Sequence, residues 1–163
     1  MTQKLLDLTG IGSDRLHLAW VSSAEAQRFV QIVTDATDAV RALGRFDPEA
    51  FKLQLAAAEQ TVVGETVRWL VGKETTITTK GDIYGRKWDE SSFESILNTA
   101  LEREYHMELI RAAINDGQTA PRTIDAEVGI GVKRISYLLA DMEKRGMVEF
   151  KHMEAHKPVF GAL

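Results

Sequence analysis

Apolar and polar residues alternate along residues 16–21, close to the start of the chain. Leu16, Leu18 and Trp20 alternate with His17 and Ala19, and a period of two predicts a strand with one apolar face. Downstream, apolar residues recur at helical spacing at Phe29, Val33, Ala36, Val40 and Leu43. A short helix over 3–9 is predicted before the strand. The first 46 residues therefore predict a short strand–helix part.

The turn between this strand and its helix has a capping signal. Ser22 and Glu25 have the spacing of a capping box, in which the hydroxyl and the carboxylate bind the first free backbone N–H groups. Gly44 follows the apolar positions and is expected to end the helix. Because a strand with two bare edges invites aggregation, we expect residues 16–21 to pair with the segment 75–88 or with a second copy of the chain.

Residues 47–103 predict a helical linker with one interruption. A helix is expected to start at Asp47-Pro48 and to end at Gly72, and its expected buried stripe is Phe51, Leu55, Ala58, Val62 and Trp69. Threonine and isoleucine then dominate, and Lys80-Gly81-Asp82 is a turn signal, so 75–88 favours a hairpin or an ordered loop. Ser91 or Ser92 is expected to cap the next helix, which either continues to Tyr105 or breaks before it.

Residues 104–163 have a pattern of three helices followed by two short strands. The strands are predicted in "MVEFKHM" and "KPVFGAL", and "GIGV" forms the tight connection between the second and third helices. This pattern resembles a winged helix-turn-helix domain, a resemblance that is specific for the fold and weak for the function. The predicted fold class is therefore mainly α with small β content (α+β).

DNA binding is one function that a winged helix can have. In such domains the third helix enters the major groove and the strand pair contacts the backbone. The candidate residues are Lys133, Arg134, Ser136, Tyr137, Lys151 and Lys157. From residue 101 onward, however, nine basic residues face ten acidic ones, whereas phosphate contacts normally need a basic excess. We therefore favour a protein-contact domain, with a DNA-binding transcriptional regulator as the alternative.

Composition narrows the possible chemistry. The 163-residue chain has no cysteine and a net charge of −4, so thiolate catalysis and all-cysteine iron–sulfur or zinc sites are excluded. The sequence contains no run of about 18 apolar residues, so we expect no membrane span. The start of the sequence lacks the long apolar stretch of a secretion signal. We expect a cytoplasmic protein.

The residues that could perform catalysis or bind metal do not form a recognisable group. His152, Glu154 and His156 fall in the predicted strand pair, and Glu102 with His106 lacks the spacing of a di-metal motif. No nucleophile, base and orienting residue can be grouped. We expect a protein that is not an enzyme and that has no metal or cofactor.

Residues 5–44, "LLDLTGIGSDRLHLAWVSSAEAQRFVQIVTDATDAVRALG", resemble the C-terminal part of the delta subunit of methyl-viologen-reducing hydrogenases. The residues that carry the resemblance are Gly10, Ile11, Arg15, Leu16, Leu18, Trp20, Val21, Ser22, Glu25, Phe29, Leu43 and Gly44. That family holds an iron–sulfur cluster on cysteines and passes electrons to a heterodisulfide reductase. Because this chain has no cysteine, the cluster and the electron relay cannot be carried over.

The resemblance implies a docking role without a cofactor. It suggests an accessory subunit of a heterodisulfide-reductase-like electron-transfer or sulfur-oxidation complex, which binds the other subunits through Trp20, Ser22, Glu25 and Phe29. A homodimer is a further alternative. The same residues also have a purely structural interpretation, in which Trp20 lies in the core and Ser22 and Glu25 only cap a helix.

Overall fold

A computed structural model describes the whole chain, Met1–Leu163, and it consists of seven α-helices and one two-stranded sheet. This architecture confirms the predicted fold class. The elements are α1 Thr2–Leu8, α2 Ala26–Ala42, α3 Lys52–Val63, α4 Glu65–Thr75, α5 Glu90–Asn115, α6 Pro121–Val128, α7 Val132–Lys144, β1 Val148–Glu154 and β2 Lys157–Ala162.

Helix α5 is the longest element, with 26 residues, and its first turn is held by Asp89. The Asp89 carboxylate accepts hydrogen bonds from the Ser91 hydroxyl, the Ser92 hydroxyl and the Ser92 N–H, the last at 2.8 Å. These bonds hold the pKa of Asp89 far below its usual range. The prediction of a serine cap is therefore wrong, because the two serines donate to the aspartate that caps the helix.

Two apolar clusters lie along α5 and are formed with different parts of the chain. One cluster packs Leu101, Tyr105 and Leu109 of α5 against Leu5, Ala57 and Val67. The other cluster packs α5 against α6, α7 and β1, with the members Met107, Ile110, Ala113, Ile114, Ile124, Ile135, Leu138, Leu139, Met142 and Val148. Leu53 and Val128 touch both clusters. Helix α5 is thus continuous across the predicted boundary at 103/104, and the division into three parts stays a prediction.

The C-terminal hairpin lies where the sequence predicts a strand pair after Gly146. Strands β1 and β2 are antiparallel, from Val148 opposite Ala162 to Glu154 opposite Lys157, with an irregularity between Phe150 and His152. Three helical stretches precede this hairpin, which is the order expected of a winged helix. The assignment to that class of domain remains a prediction.

The hairpin predicted as one alternative for 75–88 is wrong, and the other alternative, an ordered loop, applies only after Lys80, because residues 75–80 are helical. Helix α4 extends to Thr75 and continues as a π-turn over Thr76–Lys80. The Thr78 hydroxyl donates to the Glu74 carbonyl at 2.8 Å, so a β-branched residue is accommodated inside helical backbone. Gly81, at φ +83, ends the turn, and the Asp82 carboxylate then accepts the N–H groups of Tyr84 and Arg86.

The single helix predicted from Asp47 to Gly72 is two helices. Gly64 has extended backbone, at ψ 144, and separates α3 from α4. The buried residues of the two helices are Ala57, Thr61 and Val67, while Val62 and Trp69 of the predicted stripe are exposed. The break at Gly64 separates Trp69 from the stripe, whereas Val62 precedes the break and lies on the exposed face of α3. Gly72 lies inside α4 and does not end it.

Tyr105 has an unusual environment in the first cluster. Its side chain is 1% exposed, and its hydroxyl has no hydrogen-bond partner. Burial raises the pKa of Tyr105 to about 12. A buried hydroxyl without a partner keeps its desolvation cost, which is about 1–3 kcal/mol.

We expect Tyr105→Phe to raise the free energy of unfolding by about 1 kcal/mol, because it removes the unpaired hydroxyl. Chemical denaturation at neutral pH measures this change. The wild type should lose stability as the pH rises from about 10 towards about 12, since the tyrosine ionises more easily in the unfolded chain. The Phe variant should lack that component. The control Tyr137→Phe alters a side chain that is 69% exposed, and a clear loss of stability in Tyr105→Phe alone would contradict the prediction.

Candidate partner-binding surface

The first 44 residues contribute little to the core of the protein. Leu5 and Thr9 are their buried residues, and α2 has none. Helix α1 is joined to the main body through Leu5, which packs in the first cluster. The loop after α1 is fixed by the Ser13 N–H, which donates to the Asp7 carboxylate at 2.7 Å.

Arg15 connects the two ends of this N-terminal unit. Its guanidinium donates to the carbonyl oxygens of Leu43 and Gly44, each at 3.2 Å, at the C-terminal end of α2. Free carbonyls and the helix dipole both favour a cation at this position. The guanidinium also lies 5.6 Å from the centre of the Phe46 ring, which stacks on Phe51. The sequence alone did not predict this role of Arg15. The available signal was that Arg15, Leu43 and Gly44 are all among the residues that carry the resemblance to the hydrogenase delta subunit.

The strand predicted over residues 16–21 is wrong, because these residues belong to no sheet. The backbone at Leu16 is extended, at φ −118 and ψ 110, and the sheet of this chain contains only β1 and β2. The predicted pairing with 75–88 is wrong, because residues 75–80 are helical and present no strand edge. Local alternation of residues does not by itself make a strand, because pairing needs a free edge elsewhere in the fold.

Trp20 is the most exposed of the large apolar side chains, at 93%. The core interpretation of Trp20 is therefore wrong. Leu18, two residues earlier, is 78% exposed and contributes to a groove of about 480 Å³ that is also lined by Val71, Phe93 and Leu97. The segment 16–21 thus presents two large apolar side chains, Leu18 and Trp20, to solvent.

The turn at Ser22–Glu25 is closed by side-chain hydrogen bonds. The Ser22 N–H donates to the Glu25 carboxylate at 2.9 Å, and Arg28 donates to the same carboxylate at 3.1 Å. These two contacts, the Ser22 N–H first, lower the pKa of Glu25. The predicted capping box is half formed, because the Ser22 hydroxyl accepts from Ala24, and α2 begins only at Ala26.

Helix α2 exposes most of the apolar residues that recur at helical spacing in the sequence. Phe29 is 57% exposed, and Val33, Val40 and Leu43 are exposed as well. Large exposed apolar patches on a protein often mark sites of interaction. The predicted docking residues Trp20, Ser22, Glu25 and Phe29 all lie within this exposed unit. Their role in binding stays a prediction.

The residues predicted to contact DNA are partly engaged within the chain. Arg134 pairs with Glu102 at 2.8 Å, Lys151 pairs with Glu149, and the Ser136 hydroxyl donates to the Val132 carbonyl. Lys133, Tyr137 and Lys157 are exposed. The structure therefore leaves fewer free cations on α7 and the hairpin than the sequence suggested.

The histidines form no metal site. No group of three His, Asp or Glu side chains is arranged so that it could hold a metal ion. His152 lies in β1, and His156 lies in the turn before β2. His106 is half-buried near Glu102 and Arg134, and burial lowers its pKa, with a further contribution from Arg134.

The N-terminal unit is the part of the chain for which similar proteins are found. Residues 1–44 match the family model of the methyl-viologen-reducing hydrogenase delta subunit. Over 44 residues the chain is 41% identical to an iron-sulfur subunit of the F420-non-reducing hydrogenase vhu of Methanococcus voltae. The match covers 27% of this chain and 33% of that relative, so the chain spans about a third of the length of its relative. No solved structure matches the chain significantly.

No helix combines the length and hydropathy that a membrane crossing needs.

The match to a hydrogenase subunit extends from α1 to Gly44, the residue whose carbonyl oxygen accepts a hydrogen bond from Arg15. The matched segment is therefore a structural unit that is closed on itself by a side-chain contact.

We expect Arg15→Ala to loosen the C-terminal end of α2, because two carbonyl oxygens lose their donor. Hydrogen–deuterium exchange should show faster exchange in α2, equivalent to about 1 kcal/mol of local stability. Arg45→Ala, which removes an exposed arginine one residue after Gly44, is the control. Equal exchange in the two variants would show that Arg15 does not hold the unit together.

Proposed function

We propose that the protein is a non-catalytic accessory subunit that docks onto a heterodisulfide-reductase-like electron-transfer or sulfur-oxidation complex. The observation that carries this proposal is that its hydrogenase-subunit-like segment, residues 1–44, is mostly surface and exposes large apolar side chains. A relative whose name describes it as a hydrogenase subunit supports a role within a complex. The absence of cysteine means that the segment would act here through contact, without a cysteine-bound cluster.

Trp20 is the residue best suited to anchor such a contact. A tryptophan can bury a large area with few lost rotamers, and tryptophan is enriched among residues that dominate binding energy. Ser22 and Glu25 would keep the turn after Trp20 in one conformation, so that less order has to be imposed on binding. Phe29 would extend the contact onto the first turn of α2. Subunits of the same complex are the proposed partners, and the cytoplasm is the proposed location.

The C-terminal part would act as the body from which this unit projects. We propose that residues 104–163 form a winged helix that serves as a protein-contact domain, following the 1–46 unit and the 47–103 helical linker. The pairs Glu102–Arg134 and Glu149–Lys151 support this choice over DNA binding, since they neutralise two of the cations that would face phosphate.

We expect Trp20→Ala to weaken co-purification with heterodisulfide-reductase-like subunits of the same genome by about 2 kcal/mol of binding or more. Because Trp20 is 93% exposed, the free energy of unfolding should change by less than about 0.5 kcal/mol. The matched control is Trp69→Ala, which removes an exposed tryptophan from α4 and should co-purify like the wild type. Equal co-purification of the two variants would place the docking site elsewhere.

The alternative function, a DNA-binding regulator, is favoured by the exposure of Lys133 and Tyr137 on the third helix of the predicted winged helix. We expect DNA binding, measured by gel shift at physiological salt, to be weak and to disappear with added salt. Specific DNA-binding modules commonly reach about 10⁻⁸ M or tighter. Sequence-selective binding at that level, lost in the double variant Lys133→Ala with Arg134→Ala, would support the regulator and remove the adaptor proposal.

A further inference from the structure

Helix α2 contributes no side chain to the core of the chain. None of its 17 residues is buried. Its composition disfavours an isolated helix, because six positions are β-branched, namely Val30, Ile32, Val33, Thr34, Thr37 and Val40. Most helices in proteins owe their stability to a packed apolar face. The apolar face of α2 therefore needs a cover.

The spacing along this face is that of a helix–helix seam. Steps of three and four residues separate Ala26, Phe29, Val33, Ala36, Val40 and Leu43. Charged side chains are absent from this seam, and the positions beside it along α2 hold Val30, Ile32, Thr37 and Ala39. The charges of α2, Arg28, Asp35, Asp38 and Arg41, lie outside the seam, and the two arginines pair along the helix with Glu25 and Asp38.

The seam is complementary to itself in one orientation. If a second copy of α2 runs antiparallel with its centre between Val33 and Ala36, Phe29 faces Val40, Val33 faces Ala36 and Leu43 faces Ala26. Each facing pair then joins a larger side chain to a smaller one, which allows the two rows to interdigitate. A parallel arrangement would instead set Ala36 against Ala36 and Phe29 against Phe29, which leaves a void in one layer and crowds another. Antiparallel helices also oppose their dipoles favourably.

We propose that α2 is covered by α2 of a second copy of this chain, in this antiparallel register. With about 150–200 Å² for a fully exposed large side chain, the exposed fractions of Phe29, Val30, Val33, Val40 and Leu43 leave on the order of 400 Å² for contact. A standard interface buries about 800 Å² on each partner. The dimer is therefore weak, with a dissociation constant in the micromolar range, and it does not depend on ion pairs. Trp20, upstream of α2, stays free in it.

Sedimentation velocity on the purified full chain tests this proposal. At tens of micromolar the mass should approach twice 18.2 kDa and should change little between low and high salt. Val33→Glu and Ala36→Lys each place a good helix former in the seam, so that α2 itself is not penalised, and each should weaken the dimer at least about tenfold. Thr34→Glu adds the same charge to the exposed neighbouring position and should leave the dimer intact, as should Trp20→Ala.

Mixing the two seam variants tests the register. Val33→Glu and Ala36→Lys alone should each dimerise more weakly than the wild type, and a mixture should form a tighter heterodimer, because Glu at 33 then faces Lys at 36 of the other copy. A wild type that remains at 18.2 kDa up to millimolar concentration, a dimer unaffected by Val33→Glu, or a mixture that stays monomeric would each overturn the proposal. These results do not depend on Trp20 or on an electron-transfer subunit, so they can fail independently of the adaptor function.

Discussion

Burial of α5 by two different parts of the chain is the constraint on which the rest of the structure depends. A helix of 26 residues cannot be covered by one neighbour, and its buried side chains belong to two clusters that are formed with different parts of the chain. Leu53 and Val128 touch both clusters and make the two packing regions continuous. Residues 47–103 and the C-terminal part are therefore joined by one shared helix, α5, whatever their evolutionary origin.

Ion pairs at the surface also join α5 to α7. Glu102, Arg103 and Glu104 are consecutive on α5 and pair with Arg134, Asp141 and Arg145 of α7 and its C-terminal end. Exposed pairs of this kind contribute about 0–1 kcal/mol each, so their effect on stability is small beside that of the apolar clusters. They hold Arg134 and Arg145 against α5, so Lys133 and Lys144 are the cations of the third helix of the predicted winged helix that have no ion pair.

The N-terminal unit, unlike the part that packs around α5, does not depend on apolar clusters. It has few buried side chains, and its two ends are joined by Arg15, which donates to the end of α2 while lying over Phe46. A surface of this kind contributes little to folding and offers apolar area for association. The extended segment with Trp20 and the stripe on α2 give it two surfaces, one proposed for the subunits of a complex and one for a second copy. One unit could in this way both dock and dimerise.

The sequence by itself determined the backbone of most elements. Helical spacing and the Ser-Glu and glycine signals located α1, α2 and the three C-terminal helices, and the alternation after Gly146 located β1 and β2, because these patterns act over a few neighbouring residues. The resemblance of residues 5–44 was also readable, since it depends on the order of residue types. Tertiary structure alone decided which faces are covered. It left Trp20 and the α2 stripe in solvent, continued Thr75–Lys80 as helical backbone, and paired Arg15 with residues 43 and 44 and Arg134 with Glu102. The physical reason is that periodicity shows that a face is apolar, whereas what covers that face depends on contacts between residues far apart in the chain.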